Sequence, residues 1–64
     1  MTTSFALRAA LREAATLVRK RARVHNERAN LTSNRRNRRD FLVKAEEART
    51  IADELERMAA EVKT

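Results

Sequence analysis

Apolar side chains recur along this chain at spacings of three and four residues, in two stretches whose helical phases do not match. In the first stretch they are Leu7, Leu11, Ala14, Val18, Ala22, His25 and Ala29. In the second they are Phe41, Ala45, Ala48, Ile51, Ala52, Leu55, Met58, Ala59 and Val62. Each pattern is typical of one face of an α-helix. Extended at 3.6 residues per turn, the first stripe meets the second about 110° away, so one unbroken helix cannot carry both.

The break between the two stripes falls in the sequence NLTSN, Asn30 to Asn34. Asn, Thr and Ser favour helix caps and turns. The chain has no Gly, Pro or Cys, which favours helix elsewhere and excludes disulfides. We therefore predict an all-α fold in which residues 1–64 form one small domain. It is an antiparallel hairpin of two helices, about 4–29 and 34–62, with Ser4 as the first N-cap.

Such a hairpin has a thin core, because two helices bury only one seam between them. Ordering each residue costs about 1.5 kcal/mol, so a lone monomer would be marginally stable. We predict a homodimer that forms a four-helix bundle, with Ala45, Ala48, Ala52 and Ala59 allowing close approach between helices. The predicted oligomer seam contains Leu11, Val18, Phe41, Ile51, Leu55, Met58 and Val62.

The net charge of +6 is unevenly distributed. Residues 1–39 contain 11 basic and 2 acidic side chains, whereas residues 40–64 contain 4 and 7. A basic half indicates a polyanion, an anionic membrane surface or an acidic protein face as partner. The chain lacks Trp and a long apolar run, so we expect no membrane partner. The Arg-rich, amphipathic first thirty residues also fit a mitochondrial transit peptide, but a cytoplasmic protein is the default expectation.

Arginines cluster in RRNRR, Arg35 to Arg39, where the second helix is predicted to begin. Cations there oppose the helix macrodipole, and such violations of a local rule often mark function. On helix 1, four arginines starting at Arg8 share one line, which two asparagines extend toward the loop. We predict nucleic-acid binding, mainly by phosphate contact, through Arg12, Arg19, Arg23, Asn26, Asn30, Arg35, Arg36, Asn37, Arg38 and Arg39.

Two structural alternatives account for the same arginines. The line on helix 1 is equally typical of a solubilising face. If helix 2 begins only near Asn37 or Asp40, some arginines of the cluster lie in a solvated loop. Neither alternative requires a nucleic-acid partner.

The segment RRNRR resembles the arginine-rich RNA-binding motifs of lentiviral Rev proteins and, more loosely, of phage N antiterminators. In Rev the motif also belongs to an oligomerising helical hairpin and enters a widened RNA groove. The resemblance implies that residues 35–39 are the contact residues. It covers only these five residues, and the acidic, alanine-rich helix that follows departs from the Rev pattern.

No motif in the chain indicates catalysis, a cofactor or a metal. His25, the one histidine, is expected to pack on the apolar stripe, with a pH-sensitive seam as the alternative. The acidic residues of helix 2 lie beside Arg49 and Arg57, which favours surface pairing over metal binding. We expect a non-enzymatic accessory or regulatory protein, in the style of phage proteins. The alternative is an interaction module, such as an anti-CRISPR inhibitor or adaptor, that docks on a larger nucleic-acid-handling complex with an acidic surface.

Overall fold

The computed structural model describes residues 2–62, with side chains from Ser4 onward, as two packed helices. Helix α1 spans Thr2–Leu31 and α2 spans Arg35–Glu61, joined by a loop of residues 32–34. The Cα atoms fill a rod of 51 × 13 × 9 Å. The start of α1 contacts the end of α2, where Arg8 donates a hydrogen bond to the Val62 carbonyl. The predicted all-α antiparallel hairpin is therefore confirmed.

The loop and the start of α2 are fixed by local hydrogen bonds. Asn34 is the N-cap, and its side-chain oxygen accepts from the backbone N–H of Asn37 at 3.1 Å. Its own backbone N–H donates to the hydroxyl of Thr32 at 3.3 Å. Because this cap starts α2 at Arg35, the alternative start near Asn37 or Asp40 is wrong. The cluster of arginines lies in helix and not in a loop.

The ends of α1 differ slightly from the prediction. The helix begins at Thr2, so Ser4 lies inside it and is not its N-cap. It also continues to Leu31, two residues beyond the predicted end, and the Thr32 N–H still donates to the Arg28 carbonyl. A polar Asn within a helix is tolerated when neighbouring turns are strong helix formers. The break needs only the three residues that follow Leu31.

Alanines form the contact between the helices. The residues with almost no solvent exposure, 0 to 2%, are Ala15, Ala22, Ala29, Ala45, Ala52 and Ala59, which we call the alanine seam. Within each helix they repeat every seven residues, as in coiled coils. Because the alanine side chain is a single methyl group, the two backbones can approach closely. Three of the alanines predicted to allow close approach between helices, Ala45, Ala52 and Ala59, are therefore buried within the hairpin itself.

The larger apolar residues flank the alanine seam. Residues predicted for the oligomer seam are half-buried at Leu11, Val18, Phe41, Leu55 and Val62, but exposed at Ile51 and Met58. In α1 the most buried residues are the seam alanines, which include Ala15. Ala15 was not part of the stripe predicted from the sequence. Leu7, predicted on that stripe, is exposed. A seven-residue repeat of alanine was the signal for the correct centre.

The seam divides the remaining surface of the hairpin into two faces. Residues four and three positions before a buried helical residue lie on opposite sides of it. Leu11 and Val18 are four positions before seam alanines, whereas Arg12 and Arg19 are three before. We call the first side the apolar face. It contains Leu11, Val18, His25, Phe41, Ala48, Ile51, Leu55, Met58 and Val62.

The opposite side is the polar face. It contains Arg12, Arg19, Arg23, Asn26, Asn30, Arg49, Asp53 and Glu56. Ion pairs between the helices lie here. The groove between the helices on the apolar face is lined by Val18, His25, Ala48 and Ile51, together with the charged Arg21, Lys44 and Glu47. The two faces therefore have different chemistry along the same rod.

Candidate nucleic-acid interface

Four exposed arginines occupy the first two turns of α2, at the loop end of the rod. They are Arg35, Arg36, Arg38 and Arg39, which we call the basic tip. In the part of the chain that the structure describes, no carboxylate pairs with any of them. Arg38 is held in place because its Nη2 donates to the Thr32 carbonyl at 3.1 Å. The other three have no intramolecular partner among residues 4–62 and are free to contact a ligand.

The basic tip adds side-chain charge to the positive end of a helix. The first turn of α2 has no acidic residue. Backbone N–H groups of a first turn lack helical partners and carry a partial positive charge. The Asn34 cap satisfies only the N–H of Asn37. An anion at this end would therefore meet both guanidinium groups and backbone donors.

Three side chains of the tip enclose a shallow hollow. Arg35, Arg38 and Arg39 surround the exposed side chain of Leu42. Arginine stems can cover apolar surface while their charged heads reach water. This places three guanidinium-bearing side chains within one small area. Guanidinium groups clustered in this way can each donate hydrogen bonds to phosphate oxygens.

The arginines of α1 are in unequal positions on the polar face. Arg12, Arg23 and Asn30 are exposed, whereas Arg19 and Asn26 are half-buried. Asn37 is exposed, and its backbone N–H is used by the cap. The arginines and asparagines of α1 therefore do lie along one line on the polar face. It does not have uniform access to solvent.

Arg19 is already engaged in an ion-pair network with α2. Its Nε and Nη2 donate to the two oxygens of Glu56 at 3.0 and 2.9 Å, and Nη2 also donates to Asp53 at 2.7 Å. Hydrogen bonds to Glu56 and then Asp53 raise the pKa of Arg19 above its ordinary value. The hydrogen bond from Arg19 lowers the pKa of Glu56. These carboxylates would compete with a phosphate for Arg19.

Arg8 has a structural contact. It is half-buried in line with the alanine seam, and its Nη2 donates to the Val62 carbonyl at 2.6 Å. Its buried Nε has no hydrogen-bond partner. The antiparallel packing places Arg8 and Arg12 beside the acidic end of α2. Within residues 4–62, however, Arg19 is the arginine that forms ion pairs there.

The structure adds one arginine to the candidate interface. Arg49 of α2 lines a groove on the polar face together with Arg19, Ala22 and Arg23. Sequence reasoning assigned Arg49 to pairing with acidic neighbours on its own helix. Its sequence position could have revealed this role. Arg49 lies three residues before Ala52, and residues three before a seam alanine lie on the polar face, beside the arginine line of α1. Arg23 and Arg49 thus continue the positive surface from the tip toward the middle of the rod.

The described residues also bear on metal binding and on membrane insertion. Among the described residues, no three side chains of His, Cys, Asp or Glu lie close enough together to hold a metal ion. Neither helix, over its described length, is long and apolar enough to cross a membrane.

Comparisons of the chain with protein-family models, curated proteins and solved structures gave no match.

Proposed function

We propose that this hairpin binds nucleic acid through its basic tip, mainly by contacts to phosphates. The protein would be a small, non-enzymatic accessory or regulatory factor. Arg35, Arg36 and Arg39 supply the main contacts, and Arg38 supports them with a side chain held against the loop by the Thr32 carbonyl. Arg23, Asn30 and Arg49 extend the contact along the polar face.

One observation carries the proposal: four exposed arginines stand within five residues at the start of a helix whose first turn has no acidic residue, and no carboxylate among the described residues pairs with them. Elsewhere the chain does neutralise an arginine, since Arg19 is held by Glu56 and Asp53. At the tip the structure leaves exposed cations next to unsatisfied backbone N–H groups. This arrangement costs electrostatic energy in the free protein, and a polyanion would relieve it.

The contact set is narrower than the one expected from the sequence. We leave Arg19 out, because a phosphate would first have to displace two carboxylates. The 51 Å length of the rod allows the tip to reach a groove while the opposite, acidic end stays away from the phosphates. Binding by the tip end-on therefore fits the charge distribution better than binding along the whole polar face.

Salt dependence tests the proposal directly. Fluorescence anisotropy would measure the affinity of the protein for labelled duplex DNA and for a structured RNA at several salt concentrations. If about five phosphates are neutralised, the log-log slope on duplex DNA should be near −4.5. Tight binding to one polymer would identify the ligand. No binding at low salt, or affinity independent of salt, would refute the proposal.

Matched variants distinguish the effect of the tip arginines on binding from the effect of net charge. Arg36→Gln with Arg39→Gln removes two charges at the tip and should reduce the slope by about 2. Lys20→Gln with Arg57→Gln removes two exposed charges away from both the tip and the polar face. This control should bind almost as tightly as the original protein. Equal weakening by both pairs would show that only overall charge matters.

A second candidate function rests on the exposed residues of the apolar face. Ile51 and Met58 are about half exposed, although a monomer gains nothing by displaying them. An inhibitor or adaptor that docks on a larger protein complex would use such a surface. That candidate predicts a protein that stays monomeric and binds no nucleic acid at low salt.

A further inference from the structure

We propose that a second copy of this chain covers the apolar face, producing a four-helix bundle whose two basic tips lie at opposite ends. This inference does not rest on nucleic-acid binding. It follows from what the hairpin leaves exposed, from the area that a stable dimer needs and from the distribution of charge along the rod.

The hairpin alone has almost no core. Its fully buried side chains are the six methyl groups of the alanine seam, and no large side chain among the described residues is fully buried. Hydrophobic stabilisation grows with the apolar area removed from water, and alanine contributes little. Small domains without disulfides or metals commonly obtain the missing stabilisation by oligomerisation. The hairpin therefore needs a partner surface to bury more apolar area. A second copy of the chain is a partner that is present wherever the protein is.

The apolar face has the composition of half a bundle core. Leu11, Val18 and Leu55 are half-buried at its centre, and Ile51 and Met58 border them with 50% and 51% exposure. In a four-helix bundle these residues would point toward the partner hairpin. Their predicted role as an oligomer seam thus has a definite location. The seam between copies is formed by large residues, whereas alanines form the seam within each copy.

A stable dimer would need only a modest part of the surface of each copy. A standard protein interface takes about 800 Å² from each partner. The described chain has an accessible surface of 5363 Å², so such an interface would cover roughly a seventh of it. One long face of a 51 Å rod can supply this area. The polar face and the basic tip then remain in solvent.

Charges along the rod favour the orientation with opposite tips. Arg35, Arg36, Arg38 and Arg39 lie at its loop end, whereas Asp53, Glu54, Glu56 and Glu61 lie toward its other end. When the two rods run in opposite directions, the acidic end of each copy lies beside the basic portion of the other. Parallel rods would instead bring two basic tips together. Electrostatic complementarity of this kind selects orientation more than it adds affinity.

The oligomeric state and the concentration dependence of melting test the proposal on the full chain. Sedimentation equilibrium should give a dimer, and the midpoint of thermal unfolding followed by circular dichroism should rise with protein concentration. Coupling of folding to association produces this rise by mass action. A monomer whose melting does not change with concentration would overturn the proposal.

A matched pair of lysine substitutions locates the interface. Ile51→Lys places a charge on the apolar face, whereas Leu42→Lys places one at similar exposure, 46% against 50%, about 180° around α2. The first variant should shift the dimer toward monomer by at least tenfold in dissociation constant. The second should remain dimeric. If both variants dissociate equally, or neither does, the apolar face is not the interface.

Distances between the tips test the orientation. The chain has no cysteine, so Ser33→Cys provides one spin-label site per copy in the exposed loop. With tips at opposite ends, pulsed electron paramagnetic resonance should give a distance near the 51 Å length of the rod. With tips together, the distance would be about 10–20 Å, the width of two packed helices. The short distance would refute the proposed orientation.

Discussion

The guanidinium group of Arg19 on α1 donates two hydrogen bonds to the carboxylate of Glu56 on α2, from Nε at 3.0 Å and from Nη2 at 2.9 Å. This bidentate contact connects the helices on the polar face, one side of the alanine seam. It also removes a cation from the line that the sequence assigned to phosphate binding. The arginines of the basic tip have no such carboxylate partner among the described residues.

The Arg19–Glu56 contact predicts a specific pH dependence. The fold lowers the pKa of Glu56 through its hydrogen bond from Arg19, so the unfolded chain takes up the proton first as the pH falls. The stabilising contribution is therefore complete above the ordinary glutamate pKa and is lost as the pH falls through the lowered value. In Arg19→Gln the pKa of Glu56 should rise toward its ordinary value. The NMR titration of the Glu56 side chain measures this shift.

Arg49→Gln is the control for that titration. Arg49 lies on the same face but forms no ion pair among the described residues, so its loss should leave the Glu56 titration nearly unchanged. Both side chains of the Arg19–Glu56 pair are substantially exposed, and added salt should weaken the effect. A Glu56 titration that is identical in the original protein and in Arg19→Gln would contradict the observed contact.

Close packing of the alanine seam predicts that it cannot accept larger residues. Ala22→Leu would force the helices apart at the middle of the seam, and overpacking of this kind costs about 1–3 kcal/mol. Chemical denaturation followed by circular dichroism measures the free energy of unfolding. Ala10→Leu, at an exposed position of the same helix, should have little effect. Equal stability of the two variants would show that Ala22 does not lie in a tight contact.

The Asn34 cap is expected to stabilise the hairpin through the start of α2. Asn34→Ala removes the acceptor of the Asn37 N–H and should cost about 0.5–2 kcal/mol. Ser33→Ala changes the neighbouring loop residue, whose side chain is not part of the cap. Thermal unfolding of the two variants compares them at equal protein concentration. If Asn34→Ala melts no earlier than Ser33→Ala, α2 does not depend on this cap.

The first turn of α2 should show a trade-off between stability and binding. Arg35→Glu replaces an unfavourable cation by a favourable anion at a helix N-terminus, and each change contributes about 0.3–1 kcal/mol. Its melting temperature should rise while its affinity for nucleic acid falls. Arg57→Glu makes the same charge change near the other end of α2 and should lack the stabilisation. A lower melting temperature for Arg35→Glu would show that Arg35 has a structural role.

The sequence by itself determined the two helices, the position of the break and the antiparallel arrangement. Helical spacing and the phase mismatch across Asn30 to Asn34 are local properties, readable from the order of residues. Cap chemistry is equally local, which is why the start of α2 could be placed near Asn34. The arginine cluster was visible for the same reason, because its four members are neighbours in the chain.

Only the tertiary structure decided which line of each apolar sector faces the other helix. A helical wheel shows that apolar residues share a broad sector of the helix surface. It does not show which residues of that sector contact the other helix. Packing placed Ala15, Ala22 and Ala29 inside and left Ile51 and Met58 outside, because close approach requires small residues on both helices at once. The pairing of Arg19 with Glu56, 37 positions away, likewise depends on how the two helices align. That alignment is a property of the packed pair and not of either helix alone.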